Sequence, residues 1–398
     1  MKVPLLDLHG QLTPLRDEIV AAVTEVIDST TYIMGPKVAA LEREVAVYSG
    51  AAHGIGVASG TDALLAVLMT IGVGPGDLVL TTPYSFFATM GCVLRLGARP
   101  LFVDIDPISY NIDPALIEEA LAADPARTAR VKAIIPVHLY GQCADMGRIM
   151  AIAERYGIPV VEDAAQAIGA ACPIPENGTT VWRRAGSMGL AGCFSFFPSK
   201  NLGGVGDGGM IVCQDEDFAE RIRVIRVHGG APKYHHGVVG GNFRLDPIQA
   251  VVLSIKLPHL DSWHRQRREN ALRYRCLFKE SGLEDCQVQL PVALYETAAT
   301  APGGHPDYHI YNQFVIRAER RDDLRDFLQA AGIGVEVYYP IPLHRQGCLA
   351  GMGYEGLSYP VSEGAAAETL ALPIFPELTP AMQERVVAGI VAFYAQGT

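Results

Sequence analysis

The chain has 398 residues, 49% of them apolar and 19% charged, enough to bury a substantial core and to build two domains. Its net charge of −11 and the lack of any basic run argue against a nucleic-acid-binding protein. The eight cysteines are scattered, without CxxC or metal-ligand spacing, and no apolar run reaches membrane-spanning length. Together with an N-terminus, MKVPLLDLHGQ, that lacks a signal-peptide layout, this predicts a cytoplasmic protein with no metal centre, whose cysteines are mostly small buried residues of a reducing compartment.

Apolar spacing predicts helices over 15–29 and 38–50, the second closed by Gly50, with an irregular Gly-Pro loop (TTYIMGPK) between them. HGIGVASG (53–60) reads as a strand running into glycine, and TDALLAVLMTIG opens a helix. DLVLTTPYSF (77–86), PLFVDID (100–106), VKAIIPVHLYG (131–141) and IPVVEDAAQA (158–167) read as further strands, with a helix over 146–157. Apolar strands alternating with helices signal a mostly parallel sheet covered on both faces. A polar insertion at 172–189, with a turn at Asn177-Gly178, reads as a surface hairpin or lid. Helical stretches follow at 218–230 and 245–280, the latter interrupted at Pro258. Strands near 308–317 and 333–339 and helices at 320–332 and 379–396 complete a smaller α/β unit. The expected division is a large domain at 1–260 and a small C-terminal domain at 261–398.

The most informative stretch is CFSFFPSKNLGGVGDGGMIV (193–212). Phe194, Phe196 and Phe197 read as a short buried strand with Ser195 between rings, and five glycines follow Lys200. The glycines predict a backbone that takes positive φ and approaches a ligand closely. A lysine in apolar surroundings loses charge, and a neutral amine is the nucleophile that forms Schiff bases.

FSFFPSKNLGGVGDGG resembles the lysine segment of the DegT/DnrJ/EryC1/StrS aminotransferases. The resemblance runs from PLLDL at the start to LALPIFPEL near the end. It implies a pyridoxal 5′-phosphate enzyme of fold type I, an α/β protein that acts on nucleotide-linked sugars as a homodimer with shared sites.

Four further parts follow. Asp163, in VVEDAAQA, falls at the carboxyl end of a strand, where α/β sheets bind ligands. A buried carboxylate there can balance a protonated pyridine nitrogen. Strand alternation turns the neighbouring Glu162 to the opposite face, so only one of the two can serve. The resemblance selects Asp163 and sets Gln166 beside the cofactor hydroxyl. Gly60 and Thr61 occupy a strand-to-helix turn suited to a phosphate. By resemblance Thr61, the backbone at Gly60 and Asp62, and Ser195 take the cofactor phosphate, although Thr61 or Ser59 could simply cap the helix. Phe86 is the expected ring stacking on the cofactor, with Phe87 and Tyr84 as alternatives. In GGNFRLDPIQA (240–250), Asp246 reads as a helix cap with Pro247 at the first helical position. The resemblance sends this loop into the partner's site, Asn242 to the phosphate and Arg244 near the substrate.

Substrate contacts are expected from Lys233 and Arg244, whose charge suits a diphosphate, and from His309, Tyr311, Asn312, Tyr339 and His344 in segments resembling those that shape the family's sugar pocket. Family members often carry histidine where this chain has Asn312. The expected reaction moves an amino group from glutamate to a nucleotide-linked hexose with a ketone at C3, carried on UDP or dTDP. Alternatives are a C4 ketone, an aminocyclitol, or a non-catalytic regulatory protein on the same scaffold. Related dehydratases replace the lysine with histidine, so Lys200 weighs against that chemistry.

Overall fold

The computed structural model describes residues 1–176, 178–284 and 286–396. Two long N-terminal helices, α1 (Leu8–Ser29) and α2 (Pro36–Ser49), precede β1 (His53–Val57) and α3 (Gly60–Ile71). The chain continues through β2 (Leu78–Thr81), α4 (Phe87–Arg95), β3 (Arg99–Phe102), β4 (Val131–Ile135) and β5 (Val161–Asp163). A hairpin, β6 (Ala171–Glu176) and β7 (Thr179–Arg184), leads to β8 (Ala191–Ser195) and β9 (Gly209–Cys213). Of the expected hairpin turn, Asn177 lies outside the described residues.

A three-stranded sheet (β3-β2-β4) and a four-stranded one (β5-β8-β9-β1) are joined by parallel bridges Ile134–Val160 and Val137–Asp163. All pairings are parallel except those of β9, which runs antiparallel to both β8 and β1. β1, β2, β5 and β8 therefore point the same way. Their carboxyl ends deliver Ser59, the Thr82–Phe86 segment, Asp163 and Ser195 to one edge of the sheet, which is where open α/β sheets bind ligands.

A second antiparallel sheet is formed by β10 (Val288–Gln289), β11 (Phe314–Ala318) and β12 (Thr369–Leu372). Helices Arg321–Ala330 and Pro380–Ala395 pack on it. Helix Leu260–Ser281 joins the two units: Leu260 and Trp263 belong to the core of the large sheet, and Ala271, Tyr274 and Phe278 to that of the small one. The N-terminal Val3 is also buried in the small unit's core and pairs with Ile333, so that unit takes in the start of the chain as well as its end.

The long helical stretch breaks where expected, with a 3-10 turn at Leu257–His259 around Pro258 between helices Pro247–Lys256 and Leu260–Ser281. Other expectations are shortened. Residues 333–339 form no strand and make β-pairing only as single bridges, and 308–313 is irregular. Pro247 stands at the first turn of its helix, but the Asp246 side chain makes no capping bond.

Candidate active site

The lysine loop is built by backbone bonds. Phe196 N donates to Gly208 O and Gly204 N to Phe196 O, each at 2.8 Å, closing the loop, and Lys200 N donates to Phe197 O at 2.8 Å. Phe194 and Phe196 are fully buried, whereas Phe197 is exposed. None of the five glycines has positive φ, contrary to the expectation. At Gly203 and Gly209 the requirement is steric. A Cβ at Gly209 would lie 2.5 Å from the Ser59 carbonyl, and one at Gly203 would lie 2.3 Å from Pro198 O. Gly209 lets β9 press against the turn opening α3, and Gly203 lets the loop close on Pro198, so backbone meets backbone at both.

The loop faces a cavity of about 470 Å³ lined by Ser59, Gly60, Thr61, Phe86, Asp163, Gln166, Ser195, Lys200, Gln313, Tyr338 and Tyr339 among others. Burial lowers the Lys200 ammonium to about 8, against a weaker opposing pull from the Asp163 charge. Asp163 is 5% exposed. Burial raises its carboxyl; the Thr89 hydroxyl, the Ala165 N–H, and the Lys200 and His138 charges act in the opposite direction. Thr89 Oγ1 donates to Asp163 Oδ2 at 2.7 Å and Ala165 N to Oδ1 at 3.3 Å. No helix starts at Ala164, so the aspartate is not a helix cap.

Glu162 is turned away, as alternation requires. It accepts from Gly186 N at 2.7 Å, Met188 N at 2.7 Å and Gly189 N at 2.6 Å, and pairs with His138 Nε2 at 2.9 Å. Four partners occupy it, which leaves Asp163 as the carboxylate facing the cavity.

At the other end, Ser59 caps α3, its hydroxyl accepting from Asp62 N at 3.0 Å. A Cβ on Gly60 would lie 2.8 Å from Ser195 Cβ, so the helix N-terminus and Ser195 form one small concavity. Backbone N–H groups there, with the helix dipole, suit a phosphate. Phe86 is 58% exposed at the mouth, its ring centroid 6.0 Å from that of Tyr339. Of the alternatives, Tyr84 is fully buried and donates to Tyr338 O at 2.8 Å, and Phe87 is not on this cavity. Gln166 accepts from Tyr140 N at 2.7 Å and donates to Tyr339 Oη at 3.1 Å.

Several expected substrate contacts lie elsewhere. His309 and Tyr311 are buried and stack on each other, with centroids 3.9 Å apart and planes 7° apart. Burial, helped by Arg275 and Arg268, pushes the His309 imidazole down to about 3. Tyr311 has φ +44°, which breaks the alternation, and Gln313 reaches the cavity in their place. Asn312 Nδ2 donates to Asn201 Oδ1 at 2.7 Å, next to Lys200 in sequence, so it supports the loop from behind. His344 pairs with Glu363 at 2.9 Å and meets the rings of Phe102 and Tyr359. Of these five, Tyr339 alone lines the cavity. Lys233, Asn242 and Arg244 do not line the cavity of their own chain; Lys233 lies over the Tyr234 ring in an exposed loop, and Asn242 is exposed.

Sequence reasoning missed Thr89, Tyr338 and Gln313. Thr89 had a signal: it stands four residues after Ser85, its hydrogen-bond neighbour at 3.0 Å, in the helix following a strand that ends at the site.

An amine with depressed basicity, a buried carboxylate and a phosphate-sized helix terminus around one cavity define a pyridoxal-phosphate enzyme, and the residues present fit that cofactor. The chain belongs to the DegT/DnrJ/EryC1/StrS aminotransferase family, whose model matches residues 14–391. It is 49% identical over 394 residues to a "Pleiotropic regulatory protein" of Geobacillus stearothermophilus, covering 99% of each chain. It is 45% identical over 376 residues to the UDP-N-acetyl-3-dehydro-alpha-D-glucosamine 3-aminotransferase of Acidithiobacillus ferrooxidans, covering 94% of each. Among solved structures it matches S. venezuelae DesV in complex with a ketimine intermediate, with TM-score 0.87, 39% identity and 98% of each chain covered. The protein is a pyridoxal-phosphate-dependent aminotransferase.

Two expected results arise directly. A lysine at about 8 is mostly neutral above that pH and mostly charged below it. The rate at which apoprotein takes up pyridoxal phosphate covalently should therefore rise with pH and level off above about 8, checked by stopped-flow absorbance; a plateau reached only near the ordinary lysine value would contradict the burial effect. Thr89→Val removes a hydroxyl that donates to a charged group, a bond worth about 1.5–3 kcal/mol. Turnover should fall about tenfold or more with the cofactor still bound, as steady-state rates and cofactor content would show.

Proposed function

We propose that the enzyme transfers the amino group of glutamate to a nucleotide-linked hexose bearing a ketone at C3, in amino-sugar biosynthesis. The observation that carries this reading is Lys200, its amine lowered to about 8, sharing one cavity with Asp163. The relative named as a UDP-sugar 3-aminotransferase, similar over nearly the whole chain, supports the substrate class and the position.

When bound, pyridoxal phosphate supplies an electron sink and a carrier for the amino group between the two halves of the reaction. Lys200 Nζ holds the cofactor and, once released, takes a proton from the donor carbon and returns it as general acid. Asp163, oriented by Thr89, would face the pyridine nitrogen and balance its charge. The α3 terminus and Ser195 would hold the phosphate, and Phe86 would supply an aromatic face for the ring. Tyr338 and Tyr339 form one side of the cavity. Glutamate and keto-sugar use the same cavity in turn, so kinetics are ping-pong.

The working form is a homodimer. Tyr234 at 80% and Val239 at 84% exposure are large apolar side chains on the loop that leads to Asn242 and Arg244. Asn242 and Arg244 are absent from their own cavity, which fits a place in the partner's site. Lys200→Ala and Asn242→Ala, each inactive alone, should regain partial activity when mixed and allowed to exchange subunits. No rescue after proven exchange counts against shared sites. The free cysteines, five of them buried, fit a cytoplasmic setting. Among the described residues no helix is long and apolar enough to cross a membrane.

The test is a panel of matched UDP- and dTDP-linked 3-keto and 4-keto sugars with glutamate, the new amine located by NMR. Amination at C4 alone refutes the position, and turnover of an aminocyclitol precursor alone refutes the substrate class. The relative named as a regulatory protein favours a second reading, a regulator on this scaffold. Turnover of no substrate in the panel, with cofactor bound, would support it.

A further inference from the structure

We propose that Asp261, His264 and Asp307 form a binding site for a divalent transition metal, zinc being the best match, away from the catalytic cavity. Asp261 and His264 stand three residues apart on the first turns of helix Leu260–Ser281 and so share a face. Asp307 comes from the segment running toward Gln313. The ligating atoms of all three lie within 4.8 Å of one another.

The independent sign is His264 itself. It is fully buried, and among the described residues neither ring nitrogen has a hydrogen-bond partner. A neutral imidazole carries one donor and one acceptor, and burying both unmet is costly.

The carboxylates have capacity left. Asp261 takes Tyr48 Oη at 2.6 Å on Oδ1, with Arg184 3.9 Å from the same oxygen. Asp307 takes Arg268 on Oδ1. Among the described residues the partners of each fall on Oδ1, leaving Oδ2 for a metal. Tyr48 then acts as the outer partner that orients a ligand. Gly169 makes room, since a Cβ there would lie 2.7 Å from His264 Cε1 and 2.5 Å from Tyr48 Oη.

One imidazole and two carboxylates suit zinc, with water as the fourth ligand. Zinc–ligand bonds of about 2.0–2.2 Å require the donors to draw closer, which the exposed Asp261 can do by turning its side chain. Arg184 and Arg268 already offset the two carboxylates, so binding is weaker than in an all-cysteine site. The metal would tie the helix that spans both cores to the segment that ends at Gln313. Asp307 O also accepts from Ala171 N at 2.9 Å, at the base of the hairpin, so the tie reaches that element too. Its role would be structural.

The experiment uses the holoenzyme, stripped with EDTA and dialysed against zinc chloride, with bound zinc measured by mass spectrometry and melting followed in parallel. The expected result is about one zinc per protomer and a rise in melting temperature. His264→Ala and the exposed-site variant Asp261→Asn should each weaken zinc binding about tenfold or more and lose the thermal shift. Failure of wild type to retain zinc overturns the proposal. So does unchanged binding in Asp261→Asn, which would place the metal elsewhere, for instance on the exposed cysteines Cys276, Cys286 and Cys348.

Discussion

Replacing Lys200 by alanine should reduce transamination by at least about 10⁴-fold and remove the borohydride-fixable link to the cofactor, while the protein still folds. Two roles vanish together, the covalent anchor and the group that carries the proton. Folding should survive because the loop is held by backbone bonds from Phe196, Lys200 and Gly204 and by buried Phe194 and Phe196, none of which needs the amine. Removing a buried amine whose charge is disfavoured also relieves a desolvation cost. The check combines steady-state rates, mass spectrometry after borohydride and a melting curve. Retained transamination in a folded variant would remove Lys200 from the chemistry.

The second large effect is expected at Asp163. Asn in its place keeps the size, its single carbonyl oxygen can accept from Ala165 N while its amide donates to the Thr89 hydroxyl, and so the cofactor should stay bound. It cannot carry the charge that balances a protonated pyridine nitrogen, and turnover should fall about 10²–10³-fold, the usual loss when one electrostatic partner of a developing charge is removed. Glu162 offers no substitute, since three backbone N–H groups and His138 occupy it on the other face of the strand. Wild-type rates in Asp163→Asn would mean that another group holds the ring nitrogen.

These two residues were legible in the sequence for different physical reasons. Lys200 stood out because an amine flanked by buried rings and glycines conflicts with lysine's ordinary preference for water. Asp163 could be told from Glu162 because side chains in a strand alternate with a period of two. Where the backbone leaves regular geometry the period fails. The positive φ of Tyr311 sends His309 and Tyr311 into the core and brings Gln313 to the cavity, which no pattern in YHIYNQF foretold. The glycines after Lys200 were visible, but their reason was not, because Gly209 is pressed by Ser59, far away in sequence. Thr89 and the Asp261–His264–Asp307 group depend in the same way on contacts across the fold. The mostly parallel sheet was legible from apolar strands alternating with helices. The reversed direction of β9 was not, because an apolar run reads alike in either direction.

The measurement that tests the central claim most directly is a single-turnover experiment on the purified holoenzyme with glutamate alone. If Lys200 and Asp163 serve a cofactor that stores the amino group between half-reactions, 2-oxoglutarate should form to about one equivalent per site and then stop, and addition of a nucleotide-linked keto-sugar should restart it with one amine made per oxoacid released. Absence of 2-oxoglutarate from a cofactor-loaded enzyme, or continuous release without any acceptor, would contradict the account.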